Sequence, residues 1–136
     1  FFKELEKIPN ITSFGYIPNE EVISKLKKAD IFVYPTTSNE TFCIAALEAL
    51  CAGCLTLTTD WGAFKELGEN YIELIKFDEN LENLSTKFAE RLGYLMDEYK
   101  SGNLNQKLLL QSDYYSKKYS WIKRAEEWKN FLDKFS

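Results

Sequence analysis

Two glutamates, Glu40 and Glu48, are the residues best suited to chemistry, and both lie in the segment from Tyr34 to Leu50. This segment runs from an apolar stretch that ends at Pro35, through a polar loop, into a nearly apolar helical pattern. A loop between a strand and a helix N-terminus is where open α/β sheets bind ligands. An ionised carboxylate in a buried helix is costly without a partner. Glu48 is therefore expected either to pair inside the protein or to face a ligand cleft.

The start of the same helix offers a second kind of chemistry through its backbone. A helix over 41–52 leaves its first N–H groups without intrahelical partners, at the positive end of the helix dipole. Such a group of donors suits an anion, in particular a phosphate. These N–H groups belong to Thr41, Phe42, Cys43 and Ile44.

Both glutamates also admit a purely structural interpretation. Glu40 could support the helix N-terminus through the dipole, and Glu48 could pair with a lysine from a neighbouring element. The residue types alone leave both interpretations open.

The composition excludes several kinds of active site. The 136 residues include no histidine, which excludes Ser-His-Asp and Cys-His nucleophiles and histidine-ligated metals. The formal net charge of −4 argues against a nucleic-acid-binding protein. Cys51 and Cys54 form a C-x-x-C motif, but Cys51 falls at a predicted helix C-terminus, where the dipole raises a thiol pKa. We therefore expect three reduced cysteines rather than a redox or zinc site.

Charge and hydropathy bear on the surroundings of the protein. Residues 1–100 carry 10 basic and 17 acidic side chains, whereas residues 101–136 carry 7 and 4. Solvated helix faces account for this asymmetry; the alternative is a tail that makes peripheral contact with an anionic membrane or with another part of a larger protein. No apolar run approaches 18 residues and no signal-peptide pattern opens the chain, so a cytoplasmic protein is predicted. A start at Phe1 without Met suggests a piece of a longer protein.

Alternating strands and helices must position the glutamates. Strand–helix alternation with tight connections predicts parallel strands and right-handed crossovers, a Rossmann-like α/β layer with flanking helices. The first predicted helix has Asn19 as its N-cap and a buried stripe of Val22, Ile23, Leu26 and Ala29. Strands are predicted at 11–14, 31–34, 55–58 and 71–75, and helices over 18–29, 41–52 (ended by Gly53) and 63–67.

Three more helices are predicted after Asp78. Apolar residues recur at helical spacing from Leu81 to Leu95, and a second helix covers 104–119 after a break at 101–103. Ser120 caps the last helix. We expect a single domain over 1–136, with the α/β motif region at 11–75 and a helical tail at 80–136 that packs against it. The apolar stripe of the last helix comprises Trp121, Ala125, Trp128, Leu132 and Phe135.

Four segments resemble the donor-binding domain of retaining glycosyltransferases with the GT-B fold, family 4 or glycosyl transferases group 1. They follow one another along the chain in the same order as in that family. The spacing of Glu40 and Glu48, with Phe42 after the first acid and Gly53 after the second, resembles the glutamate-x7-glutamate signature. The resemblance covers roughly residues 11–75. Its other segments are the strand-and-glycine turn at 14–18, the alanine-aspartate strand at 29–36 and the glycine loop at 60–66.

The resemblance implies a role for each candidate residue. Glu40, at the catalytic centre, would hydrogen-bond hydroxyls of the donor sugar, and Glu48 would hold the ribose of a nucleotide-sugar. The backbone around Thr41 and the N–H groups of Phe42, Cys43 and Ile44 would meet the sugar or diphosphate.

It also implies transfer of a hexosyl-type sugar to an unknown acceptor with retention and without a metal or other cofactor. The acceptor site would lie in a missing N-terminal domain, without which the chain would be inactive. The alternative function is an α/β module that binds a nucleotide or a partner protein without turnover.

The chain departs from the family pattern at two positions, because Cys43 and Ala63 stand where the family usually has glycine. Both residues are small, so a ligand can still approach closely, but a positive φ is disfavoured at Cys43. Trp61 in the glycine loop could either stack on a sugar or base or cover the edge of the core.

Overall fold

Three parallel strands form the centre of the fold, and helices flank them. The computed structural model describes residues 2–5 and 7–135. Within these residues the helices are α1 (Phe2–Leu5), α2 (Asn19–Leu26), α3 (Ile44–Ala52), α4 (Phe64–Gly68), α5 (Leu81–Lys100), α6 (Asn105–Lys118) and α7 (Trp121–Leu132). The strands are β1 (Ile31–Tyr34), β2 (Leu55–Thr59) and β3 (Glu73–Ile75).

The sheet has the order β1-β2-β3, and both strand pairs are parallel. All five residues of β2 are buried, and the hydroxyls of its last two threonines donate to main-chain carbonyls of β1 and of the loop that follows β1. Thr58 Oγ1 donates to Tyr34 O at 2.8 Å, and Thr59 Oγ1 donates to Thr36 O at 2.9 Å. The predicted α/β class with a parallel, Rossmann-like sheet and C-terminal helices is confirmed. These two bonds also tie the carboxyl end of β2 to the loop that follows β1.

Two hydrophobic clusters make up the core, and α6 contributes to both. The first joins α3, α4 and α6, and the second joins β2, α5 and α6. Helices that follow or connect the strands thus pack against the short sheet in both clusters. The first cluster contains Ala46, Leu50, Phe64, Leu67, Ile72 and Tyr115; the second contains Leu55, Leu57, Leu84, Phe88, Leu95 and Leu108.

Side chains of α6 donate hydrogen bonds to main-chain carbonyl groups at or just beyond the C-termini of α3 and α4. Gln111 is fully buried, and its Nε2 donates to Leu50 O at 3.2 Å and Cys54 O at 2.9 Å. The hydroxyl of Tyr115, also fully buried, donates to Leu67 O at 2.6 Å. These bonds attach α6 to the ends of α3 and α4.

The predicted strand at 11–14 is wrong. These residues are coil in the structure, and the side chain of Phe14 is 52% exposed. A strand requires a backbone partner, and none of the described residues pairs with this segment. An apolar run alone therefore does not define a strand.

The helix predicted over 18–29 corresponds to α2, which is shorter and less buried than expected. It begins at Asn19 with Pro18 as its N-cap and ends at Leu26, so the predictions of Asn19 as N-cap and of a buried stripe reaching Ala29 are wrong. No residue of α2 is buried. Ile23 and Leu26 border a cavity of about 350 Å³ against α3, so the stripe faces open space instead of packed core.

Most other predicted elements are confirmed with small shifts at their ends. Gly53 caps α3 with a φ of +85°, and Ser120 caps α7 by accepting a bond from Lys123 N at 3.1 Å. β3 starts at Glu73 rather than at Tyr71, because the backbone N–H of Tyr71 bonds to Gly68 O in a turn.

The apolar stripe of α7 is not packed against the α/β layer, and this prediction is wrong. No residue of α7 is buried, and Trp121 and Trp128 are 89% and 64% exposed. Trp128 instead contacts Phe131 of its own helix at 6.0 Å between ring centroids. Among the described residues, no helix is long and apolar enough to cross a membrane. Contact of α7 with lipid or with a larger protein stays a prediction.

Substitution of Trp121 by alanine is expected to change the free energy of unfolding by no more than about 0.5 kcal/mol, because the side chain is exposed. Substitution of Phe64 by alanine is expected to cost about 3–5 kcal/mol, because it empties a packed site in the first cluster. Urea denaturation of both variants measures the difference. A comparable loss in Trp121→Ala would show that α7 packs more closely than described.

Tyr115→Phe is expected to cost about 1–3 kcal/mol, because it removes the buried donor to Leu67 O, whereas Gly68 O keeps its bond from Tyr71 N. Burial also raises the pKa of Tyr115. The raised pKa contributes stability that is complete below pH about 10, where an unfolded tyrosine titrates, and that declines as the pH rises towards the folded pKa.

Urea denaturation at pH 8 and pH 11 should therefore show a smaller loss with pH for Tyr115→Phe than for the unsubstituted chain. Tyr16→Phe is the control, since that side chain is fully exposed. Equal pH dependence of all three proteins would contradict the assignment.

Candidate functional site

The candidate site lies where the carboxyl ends of β1 and β2 meet the N-terminus of α3. Two of the sequence segments come together there, since the loop carrying Glu40 packs against the loop at 60–63. Ala63 N donates to Glu40 O at 2.9 Å. A Cβ atom on Gly62 would lie 2.3 Å from Glu40 O and 2.7 Å from Glu40 N, and its φ is +72°. Only glycine allows this approach, which holds the main chain of Glu40 in place.

Asp60 and Trp61 lie in the neighbouring loop, and both side chains contact residues of the protein itself. Asp60 accepts a bond from Phe77 N at 2.7 Å and pairs with Lys65 at 3.0 Å. The backbone N–H of Phe77 and the Lys65 ammonium lower the pKa of Asp60. The ring of Trp61 packs on that of Phe77 at 4.5 Å between centroids. Of the two interpretations of Trp61, the structure supports the one in which it covers the edge of the core.

The side chain of Glu40 is partly buried and has one hydrogen-bond partner in the described part of the chain. Tyr34 Oη donates to Glu40 Oε1 at 2.7 Å. This bond and the nearby carboxylate raise the pKa of Tyr34. Tyr34 was not among the residues singled out from the sequence, although a tyrosine at the carboxyl end of a strand, six residues before an acid, was a usable signal.

The helix start predicted at Thr41 is wrong, because α3 begins at Ile44. Cys43 is the N-cap and adopts a left-handed conformation, with φ +57° and ψ +80°. A left-handed residue cannot continue a right-handed helix, so Thr41 and Phe42 lie in the preceding loop. The backbone N–H groups of Thr41, Phe42, Cys43 and Ile44 form no hydrogen bond to another described residue.

The positive φ at Cys43 falls where the family usually has glycine. The Cys43 thiol is half-buried, and burial raises its pKa, with a smaller contribution from the nearby Glu40 carboxylate. The backbone N–H groups of Ala46 and Ala45 act in the opposite direction. Burial likewise raises the thiol pKa of Cys51 and Cys54, and all three cysteines are free. The thiols thus lack the lowered pKa of redox-active cysteines.

Glu48 lines two cavities beside α3, which also share Leu47 and Tyr119. One is the 350 Å³ cavity against α2; the other, the α3–α7 cavity, measures about 700 Å³. Its carboxylate forms no ion pair or hydrogen bond with any described residue, so the expected internal pair is not seen there, and a ligand role for Glu48 stays a prediction. The α3–α7 cavity is lined by Asn19, Phe42, Ile44, Leu47, Glu48, Tyr119, Trp121, Arg124, Ala125 and Trp128.

The structure brings together only some of the predicted site residues. Phe42, Ile44 and Glu48 line the α3–α7 cavity, whereas Glu40 lies outside its lining, beyond the N-terminus of α3. The ring of Phe42 packs on Tyr119 at 6.0 Å between centroids, so this side chain forms a wall of the cavity.

Arg124 is a lining residue that sequence reasoning missed. Its guanidinium pairs with Glu127 at 2.9 Å and donates to Lys118 O at 2.9 Å, while its buried Nε lacks a partner among the described residues. No sequence signal separates it from the other basic residues of the tail. No group of three or more potential metal ligands occurs within residues 2–5 and 7–135.

Cys43→Gly is expected to be more stable than Cys43→Ala by about 0.5–1 kcal/mol, because glycine relieves the left-handed strain that alanine retains. The same pair at Cys51, inside α3, should show the reverse order, with glycine less stable by about 1 kcal/mol. Urea denaturation of the four variants measures both differences. The same order at both positions would contradict a left-handed Cys43.

The chain was compared with protein families, curated proteins and solved structures. The model of the family "Glycosyl transferases group 1" matches residues 2–108. No curated protein and no solved structure matches the chain. The matched region contains the whole sheet, both glutamates and the left-handed N-cap of α3. The chain therefore belongs to the group 1 glycosyltransferases and carries a domain for glycosyl transfer.

Proposed function

We propose that this domain binds a nucleotide-sugar donor and that its sugar is transferred, with retention, to an acceptor still to be identified. One observation carries the proposal. The carboxylate of Glu48 is partly buried on an otherwise apolar helix, has no partner among the described residues and lines a cavity of about 700 Å³. Such a carboxylate is costly in the empty protein and favourable once a ligand donates to it.

Ribose supplies the donors that Glu48 lacks. Its two adjacent hydroxyls can each donate to one carboxylate oxygen, and hydrogen bonds to an ionised acceptor are stronger than neutral ones. The walls of the cavity, including Leu47 and Trp128, are largely apolar, and a bound nucleotide that displaces water from them would strengthen these bonds.

The backbone before α3 would then receive the diphosphate. The N–H groups of Phe42, Cys43 and Ile44, in the turn that leads into the helix, have no partner among the described residues, and the helix dipole adds positive potential there. Negative charge develops on the diphosphate as the glycosidic bond breaks, and fixed donors stabilise this charge without reorganising. Glu40, beyond the helix N-terminus, would accept hydrogen bonds from hydroxyls of the donor sugar.

Transfer of the sugar requires more than this chain. We propose that catalysis needs no metal, that the sugar is of the hexosyl type and that the acceptor site lies in an N-terminal domain. The 136-residue chain then binds donor without transferring sugar. Transfer by a longer protein that includes this domain would separate the enzyme from a module that only binds nucleotide.

Glu48→Gln tests the ribose contact, since it keeps the shape of the side chain and removes the charge. Isothermal titration of the chain with UDP and GDP should show binding that weakens roughly tenfold in this variant. The unsubstituted chain should also prefer the ribonucleotide to its 2′-deoxy analogue, and Glu48→Gln should lose that preference.

Glu90→Gln is the matched control, because Glu90 is exposed on α5 and does not line the cavity. Unchanged affinity and an unchanged preference for ribose in Glu48→Gln would refute the assigned role. A complete lack of nucleotide binding by the unsubstituted chain would refute the proposed function.

A further inference from the structure

The phenol of Tyr34 and the carboxylate of Glu40 form a side-chain contact at the centre of the candidate site. Tyr34 Oη donates to Glu40 Oε1 at 2.7 Å, which is a short and well-formed O–H···O bond. The bond occupies one carboxylate oxygen. The other oxygen, Oε2, has no partner among the described residues.

Tyr34 is held firmly enough to act as an anchor. It is the last residue of β1, and its carbonyl accepts bonds from Thr58 Oγ1 and Thr36 N, both at 2.8 Å. Its ring lies between those of Phe32 and Phe64, with centroids 6.2 and 6.1 Å away. The hydroxyl therefore projects from packed core into the site.

Glu40 is held from its other end by the main chain. Ala63 N donates to Glu40 O, and Gly62 packs against the same peptide at a distance that admits no side chain. A glutamate side chain otherwise loses rotamer freedom when a ligand orders it, and this loss weakens binding. The contact with Tyr34 removes part of that freedom before any ligand binds.

The protonation state of Tyr34 suits this role. The hydrogen bond to Glu40, burial and the charge of the carboxylate all raise its pKa above the ordinary value near 10. The phenol therefore stays a donor throughout the physiological range, and Glu40 Oε1 stays occupied.

We propose that Tyr34 is a positioning residue that locks the carboxylate of Glu40 and leaves Oε2 as its free acceptor for a hydroxyl of the donor sugar. This inference rests on the proposed function. It also changes the recognition expected from a free carboxylate, which would offer both oxygens equally to two adjacent hydroxyls.

Tyr34→Phe removes only the phenolic oxygen and tests this role. The measured quantity is the sugar increment, defined as the ratio of the affinity for a nucleotide-sugar to that for its nucleoside diphosphate. It is obtained by isothermal titration with UDP-glucose against UDP and with GDP-mannose against GDP. Tyr34→Phe should lower the increment roughly threefold to tenfold, and Glu40→Gln at least as much, while affinity for the diphosphate stays the same.

Tyr99→Phe is a matched control at the opposite end of β1. Tyr99 Oη donates to Asp30 Oδ1 at 2.6 Å, so this variant removes the same kind of bond away from the site. Its sugar increment should stay unchanged. An unchanged increment in Tyr34→Phe, with donor binding and the effect of Glu48→Gln intact, would overturn this inference alone.

A spectroscopic measurement tests the contact without a ligand and without the Tyr34→Phe variant. In protein with ¹³C-labelled tyrosine, the pKa of Tyr34 followed by NMR should fall towards 10 in Glu40→Gln, and that of Tyr99 should not change. An equal pKa of Tyr34 in both proteins would overturn the contact. If no nucleotide-sugar binds the unsubstituted chain, the proposed function fails, and the positioning role fails with it.

Discussion

The rest of the structure depends on the attachment of α6 to α3. Helix α3 is nearly apolar, so it must be covered along most of its surface. Gln111 and Tyr115, both fully buried on α6, supply this cover and also donate hydrogen bonds to main-chain carbonyls at the ends of α3 and α4. A polar group buried without these partners would be costly, so the contact forms only in one register.

This attachment stabilises the fold enough to offset the unfavourable features of the candidate site. Because the buried residues Ala46, Ala49 and Leu50 hold α3 in the core, the helix can keep an unfavourable left-handed residue at its N-cap, Cys43, and a Glu48 that has no partner among the described residues. Both features lower stability locally and both face the region proposed for the donor. The site is therefore built from local defects that the surrounding core supports.

The sequence predicted those parts of the fold whose signals are local. β1 and β2 are short runs rich in β-branched or aromatic residues, and Gly53 and Ser120 cap their helices through bonds to nearby residues. The segment at 11–14 has an equally good strand pattern and is not a strand, because pairing depends on a neighbour that the pattern does not contain. The stripe of α7 failed for a related reason, since periodicity shows which residues share a face and not what covers that face.

The sequence by itself determined the family, the parallel α/β class and the choice of two glutamates as candidate site residues, because each depends on residue type and spacing along the chain. Only the tertiary structure decided that Glu48 lines a cavity without a partner in the described part of the chain, that Cys43 is left-handed and that Tyr34 donates a hydrogen bond to Glu40. These three facts depend on which side chains from distant segments meet. Hydrogen bonding and burial act through space, and the spacing of residues in a sequence does not record them.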